Sequence, residues 1–207
     1  MKASSVILDA LKDMDNTGTL EAEKKMDLYA GKDIRMTADT HREENGQGHT
    51  TAISKRGAAS VTGKEGSLTM TAGKDIHLQA ARISSAGDMT IAGKRQVELG
   101  TAVAEKDNRV TWDRSNDRRD STAMETGSTL TAGRNLTVEN GKEITDLEEH
   151  HRHKEKGLLS SKTTTTYDEV KRTDTTGSIV EGDTLTMTAG KDISLTGSVA
   201  ASTKETA

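Results

Sequence analysis

Gly66-Ser67-Leu68-Thr69-Met70-Thr71-Ala72-Gly73-Lys74 is followed by a near-copy, Gly87-Asp88-Met89-Thr90-Ile91-Ala92-Gly93-Lys94. Both stretches open on glycine, alternate apolar residues with threonine, and close on Ala-Gly-Lys. Alternation with period two places Leu, Met and Ile on one side of a strand and Thr on the other. The leading glycines lie 21 residues apart and the second glycines 20. Strand-forming segments that recur at a fixed spacing mark stacked units, each packing only on its neighbours.

The motif extends along the chain. Ala-Gly-Lys-Asp-Ile occurs at residues 30–34, 72–76 and 189–193, with a looser copy, Ala132-Gly133-Arg134-Asn135-Leu136. The second glycines are Gly31, Gly73, Gly93, Gly133 and Gly190, spaced 42, 20, 40 and 57 residues apart. These spacings read as two, one, two and three units of about 20 residues, one turn of a β-helix each. The structural-turn residues are then Gly31, Asp33, Gly73, Asp75, Gly93, Gly133, Asn135, Gly190 and Asp192. Glycine would supply the positive φ of a tight corner, and Asp or Asn two residues later would close its own turn. Stacked aspartates repel across a ladder. The copy one period from Asp75 reads Gly93-Lys94-Arg95-Gln96, with a base in place of the acid, and the remaining Asp copies fall two or more periods away.

Composition agrees with a thin core. Apolar residues are 31% of the 207 positions and charged residues 30%; Tyr29, Trp112 and Tyr167 are the only aromatics. So few bulky side chains cannot fill a wide globule, and disorder does not require alternation in phase with glycine. Proline, which cannot donate to a ladder, is absent. Cysteine is absent too, which leaves the redox compartment open. A net charge of −4 with interspersed signs provides no basic face for nucleic acid. No apolar run reaches the length of a membrane span, and Val6-Ile7-Leu8 is too short for a signal peptide. The expectation is a single β-helical segment, 1–207, of a larger protein whose export signal lies elsewhere.

Three polar stretches interrupt the pattern, at about 39–65, 102–126 and 146–181. They read as degenerate coils or as hairpins thrown out from the rod. Hairpins are favoured, because such charge density does not suit a thin core.

The Ala-Gly-x-Asp/Asn-Ile/Leu coils alternating with charged excursions resemble the haemagglutinin repeats of filamentous haemagglutinin-like exoproteins. The run His153-Lys154-Glu155-Lys156-Gly157-Leu158-Leu159-Ser160-Ser161-Lys162-Thr163-Thr164-Thr165-Thr166 carries much of the likeness. So does its continuation through Gly177-Ser178, Gly182-Asp183-Thr184-Leu185 and Ala189-Gly190-Lys191-Asp192-Ile193. The resemblance spans about residues 15–200. It implies an all-β, right-handed parallel β-helix and a large secreted bacterial protein of the two-partner pathway: an adhesin, a haemolysin or a contact-dependent growth-inhibition exoprotein. It also implies two partners, an outer-membrane transporter and a target-cell surface or outer-membrane receptor, protein or glycan.

Chemistry is sparse. His150, His151 and His153 beside Glu148 and Glu149 have zinc-ligand character, but no second ligand cluster accompanies them. The single carboxylate of each Gly-x-Asp turn falls short of a calcium shell, and the Gly-Lys pairs lack the rest of a phosphate loop. No metal or cofactor is expected. Asp113 and Asp117 resemble the carboxylate pair of a polysaccharide-active β-helix, yet they stand in a charge-rich stretch that solvation explains. The reading is therefore a non-enzymatic structural and binding shaft, with a β-helical polysaccharide-active enzyme as the alternative. Trp112, His150, His151, His153 and Tyr167 are the candidate partner-binding residues, because they stand in excursions that do not repeat.

Overall fold

The computed structural model describes residues 3–111, 117–140, 143–147, 168–189, 192–194 and 198–204. Every regular element among them is a β-strand. The first coil contributes β1 (Ala3–Ala10) and β2 (Met14–Asn16). The second consists of β3 (Thr19–Ala30), which serves two faces, and β4 (Ile34–Asn45), which runs on past the coil and returns as β5 (Gly48–Arg56). The third holds β6 (Ala58–Val61), β7 (Ser67–Ala72) and β8 (Asp75–Gln79). The fourth holds β9 (Arg82–Ser85), β10 (Asp88–Gly93) and β11 (Gln96–Gly100), followed by β12 (Ala102–Thr111) and β13 (Asp117–Thr126). The fifth holds β14 (Thr129–Ala132), β15 (Asn135–Asn140) and β16 (Glu143–Leu147). After β17 (Asp168–Thr176) come β18 (Ile179–Gly182), β19 (Thr184–Ala189) and β20 (Asp192–Ser194) of the sixth, and β21 (Val199–Ser202) opens a seventh.

Successive coils pair in parallel on three faces, which makes the fold a parallel β-helix. The first face is the start of β3, then β6, β9, β14, β18 and β21. The second is β1, the end of β3, β7, β10, β15 and β19. The third is β2, β4, β8, β11, β16 and β20.

Register converts the alternation into stacks of like side chains. Val6, Met26, Leu68, Met89, Leu136 and Leu185 lie one above another, as do Leu28, Met70, Ile91, Val138 and Met187. These side chains form or pack against one continuous core of Leu, Ile, Met, Val and Ala. Burying each one of the larger of them is worth about 1.5–3 kcal/mol, and every coil repeats that gain without an aromatic. Thr69, Thr90, Thr137 and Thr186 stack on the outer side of the second face, where a β-branched side chain suits a pleated surface.

The unit count differs from the sequence expectation. Gly31 and Gly73 belong to neighbouring coils, although 42 residues separate them, because Met26 pairs with Leu68 and Ile34 with Ile76. The extra residues form the antiparallel pair β4–β5, in which Ala38 meets Arg56 and Asn45 meets Gly48. A long spacing is therefore one coil plus an excursion, not two coils. Of the stretch 39–65, Ala58–Val61 lies in the coil ladder.

The glycines also act differently from expectation. Neither Gly31 nor Gly73 has a positive φ; a Cβ on Gly73 would lie 2.2 Å from the Gly31 carbonyl oxygen, and one on Gly31 would lie 2.3 Å from that of Leu11. Close approach of the coil next door requires glycine here. The one non-glycine residue with positive φ among those described is Ala80, at 49°, where the third coil turns into the fourth.

Candidate interaction face

The excursions form a single sheet. β4 pairs antiparallel with β5, β5 with β12, and β12 with β13, while β17 joins β13 in parallel. Geometry explains the arrangement. β4 continues directly from the third face of its coil, and β12 follows β11 of a coil two steps on. Two coils and two sheet spacings are the same distance, about 9.6 Å. The return strand β5 thus occupies the slot above the third coil, which carries no hairpin and turns tightly through Ala80 and Ala81. A returning β13 fills the next slot in the same way. The parallel pairing of β17 on β13 follows, since both run back toward the helix before entering β18 and β14.

This lateral sheet has two unlike sides. Glu43, Thr50, Lys106 and Thr122 form one in-register row, and all four are exposed. The adjacent row, Arg42, Thr51, Glu105 and Ala123, points to the opposite side, where Thr51, Glu105 and Ala123 are half-buried. Met124 stands half exposed on the open side. Polar contacts are local: Arg42 Nε donates to Glu44 Oε1 at 2.7 Å, and His49 Nε2 lies 3.5 Å from Glu105 Oε2.

Arg56 ties the sheet to the helix. It stands at the end of β5, and its guanidinium donates to the carbonyls of Ala80 at 2.5 Å and Gly127 at 2.8 Å. Burial, and then the neighbouring Arg82 charge, pull its pKa below the usual arginine value. Two turns of different coils, at Ala80-Ala81 and at Gly127, thereby share one cation.

Along the third face, the corner aspartates stand closer than the sequence spacing indicated. Asp13, Asp33 and Asp75 occupy successive coils. The Asp33 N–H donates to Asp13 Oδ1 at 3.3 Å, and the Asp75 N–H to Asp33 Oδ1 at 3.3 Å. The carboxylates therefore close the gap between coils and not each its own turn; local closure is seen instead at Asn16, whose Oδ1 accepts from the Gly18 N–H at 3.1 Å. Repulsion is offset by arginines. Arg35 reaches Asp33 Oδ2 at 2.6 Å, and Arg95 holds both oxygens of Asp75, through Nε at 2.8 Å and through its terminal nitrogen. That hydrogen bond is the main cause holding the Asp75 carboxyl below the usual range, against the burial that would raise it. Register places Gln96, not Arg95, beside Asp75.

The remaining expected turn residues are placed as follows. Gly93 ends β10 within the ladder, opposite Ala72. Gly133 and Asn135 belong to a different corner, between the first and second faces, where Asn135 Nδ2 and N–H donate to Asp88 Oδ1 at 3.1 and 3.2 Å. Asp192 begins β20 opposite Glu143, and Gly190 lies outside the described residues. Trp112, His150, His151, His153 and Tyr167 also lie outside them, as does Leu195.

Two groups were missed in the sequence. One is a buried serine ladder: the N–H of Ala81 donates to Ser128 Oγ at 3.1 Å, that of Ser128 to Ser178 Oγ at 3.2 Å, and that of Ser178 to Ser198 Oγ at 3.1 Å. The repeated dipeptides Gly127-Ser128, Gly177-Ser178 and Gly197-Ser198 carried that signal. The other is a notch at the junction of β8 and β5. It encloses about 220 Å³ and is lined by Thr37, His77, Leu78, Gln79, Glu98, Gly100 and Thr101. In it His77 Nδ1 lies 2.7 Å from Glu98 Oε2. Nothing local in the sequence announced it.

Among the described residues no helix is long and apolar enough to cross a membrane. No family profile matches the chain, and no solved structure matches it. The chain is similar to the tRNA nuclease CdiA of Escherichia coli (strain STEC_O31), with 25% identity over 232 aligned positions that take in 94% of the chain. It spans 7% of that protein's length. The expectation of a protein that is not an enzyme is corrected by this relative, whose name is that of a nuclease. Over nearly its whole length, then, the chain has a CdiA-like relationship.

Proposed function

We propose that the chain is a shaft segment of a secreted bacterial surface exoprotein of the contact-dependent growth-inhibition type, whose coils carry a lateral sheet and its excursions toward a target cell. The reading rests on one observation. Hairpins from separate coils pair into one sheet whose open side is a polar surface with the half-exposed Met124. A stack of near-identical coils offers similar surfaces from rung to rung, whereas the lateral sheet does not repeat, and recognition needs a surface that does not repeat. The similarity to CdiA and the haemagglutinin-repeat resemblance support the same setting. The partners it names are a target-cell surface or outer-membrane receptor, protein or glycan, and an outer-membrane transporter of the parent protein.

Two replacements test it. In one, residues 38–56 give way to a two-residue link like Ala80-Ala81. In the other, residues 148–167, with His150, His151 and His153, and Tyr167, give way to a Gly-Ser turn. Each variant is expected to keep a strand-dominated circular-dichroism spectrum and a cooperative melt, and at least one to lose most binding of labelled protein to target bacteria. Undiminished binding by both would assign recognition elsewhere and leave this segment a spacer.

A further inference from the structure

The notch exists because one strand slot is broken. β4 and the β11–β12 run pass from the helix into the lateral sheet as continuous or nearly continuous strands. Between them, β8 ends at Gln79 and β5 returns from the opposite direction to end at Arg56. Both chains turn aside at that meeting point. The Gly57 N–H donates to the Thr37 carbonyl at 3.0 Å, and the Ala80 N–H to that of Gly100 at 2.9 Å. The backbone at the break is thus paired, and the space left above it is bounded by side chains.

Those side chains are of mixed hydrogen-bonding character. Thr37 and Thr101 each present a hydroxyl that both donates and accepts, Gln79 presents an amide that does the same, and Glu98 accepts. Gly100 leaves the wall open: a Cβ there would only touch Gln79, at 3.8 Å. The volume of about 220 Å³ is below that of pockets for drug-sized ligands, about 300–1,000 Å³, and suits a single ring. Glu98 is already engaged by His77 at 2.7 Å. Asp75, next to them, is held by Arg95. Both carboxylates are thus already engaged, while a neutral hydroxylated ring finds hydrogen-bonding groups at Thr37, Gln79, Glu98 and Thr101 and apolar wall between them.

We propose that this notch is a binding site for one neutral sugar residue of a glycan, held by Thr37, Gln79, Glu98 and Thr101 with His77 orienting Glu98. The site is a property of the isolated chain and does not depend on the parent protein's role. The test titrates the full 207-residue chain with methyl β-glucopyranoside, methyl β-galactopyranoside and N-acetylglucosamine, followed by nuclear magnetic resonance. The expected result is saturable shifts of the Thr37 and Thr101 methyl signals and the His77 ring signals, with Thr69 and Thr186 on the second face unmoved. Gly100→Val, which fills the notch from a position where a side chain has room, is expected to weaken binding at least about tenfold, a factor worth one decade in the dissociation constant. Gln79→Ala removes one partner and serves if Gly100→Val alters the fold; it too is expected to weaken binding. Three outcomes overturn the proposal: no saturable shift with any of the sugars, wild-type binding by both variants, or saturation of the same signals by N-acetyl-lysine methylamide alone, which would make the notch a seat for a peptide side chain.

Discussion

Two corners of the helix solve the same problem with different chemistry. At each turn the strand ladder breaks, and a backbone N–H would be left without a partner. Between the second and third faces, in the first three coils, Asp13 and Asp33 accept those N–H groups one coil away. Between the third and first faces, in later coils, Ser128, Ser178 and Ser198 accept them. The directions are opposed. An aspartate receives its bond from the following coil, a serine from the preceding one. Access explains the choice. Ser128 and Ser178 are almost wholly buried, at 0% and 1% exposure, where an ion without a counter-ion costs far more than a hydroxyl. The aspartate corner lies where Arg35 and Arg95 reach in from solvent. A stack of like charges is stable only where opposite charges can be delivered to it.

The largest expected effect tests what the corners share. Both need glycine, because a Cβ on Gly73 or Gly127 would lie 2.2 or 2.5 Å from the backbone of an adjacent coil. Gly73→Val should therefore cost at least about 3 kcal/mol by forcing two coils apart. Gly46→Ala, where nothing lies within 4 Å, should leave the urea midpoint in place. Equal midpoints for the two variants would mean that the coils do not approach so closely.

Next comes the serine corner. Ser128 Oγ accepts from Ala81 and donates toward the carbonyls of Leu78 at 2.6 Å and Gly100 at 3.1 Å. Ser128→Ala strands a buried N–H and should cost about 1–3 kcal/mol in chemical denaturation, the penalty of an unsatisfied buried group. A neutral result would show that the hydroxyl ladder is an accompaniment of the fold and not a support.

The aspartate corner should respond less, and in a manner that depends on pH. The Asp75 carboxyl has a depressed pKa in the fold, so its contribution is fully present above the unfolded value of about 3.9 and is lost as pH falls through the folded value. Arg95→Gln should lower stability at pH 7, and the gap from the parent chain should narrow steadily on acidification. Urea midpoints measured between pH 7 and pH 2 decide it: a gap that is constant with pH would remove the ion pair from the account. The serine variant, by contrast, should show a pH-independent loss.

The smallest effect marks the outer surface. Thr186 is exposed between the inward Leu185 and Met187, so Thr186→Asp should shift stability by no more than about 0.5 kcal/mol. A loss equal to that of Ser128→Ala in thermal melting would contradict the inward–outward assignment.

Much of the fold was legible because its signals are local. Leu68, Met70, Met89 and Ile91 alternate with polar residues, and alternation alone fixes which side faces the core. The Ala-Gly-Lys-Asp-Ile copies at 30–34 and 72–76 marked true corners. The copy at Ala132-Gly133-Arg134-Asn135 did not mark the same corner, since Asn135 pairs with Asp88 at the entry to the second face. Its sequence is alike because both corners ask for a small residue at a close approach and a polar side chain that bonds across the gap between coils. The candidate site was less legible. Arg56, His77 and Glu98 carry no motif, and the first two act on residues brought near only by the return of β5 and the stacking of coils.

That the chain is a stack of short strands with a narrow aliphatic core could be read from its residues alone. Period-two alternation, recurrent glycine, and the absence of proline and phenylalanine leave no other way to bury so little apolar surface. It took the folded molecule to show how many coils a long spacing holds, which aspartates stand beside each other, and that the excursions unite into one sheet. Those outcomes depend on register between segments far apart in the chain. Register is set by the summed packing of whole coils and by equal strand spacings, which no local stretch of sequence contains.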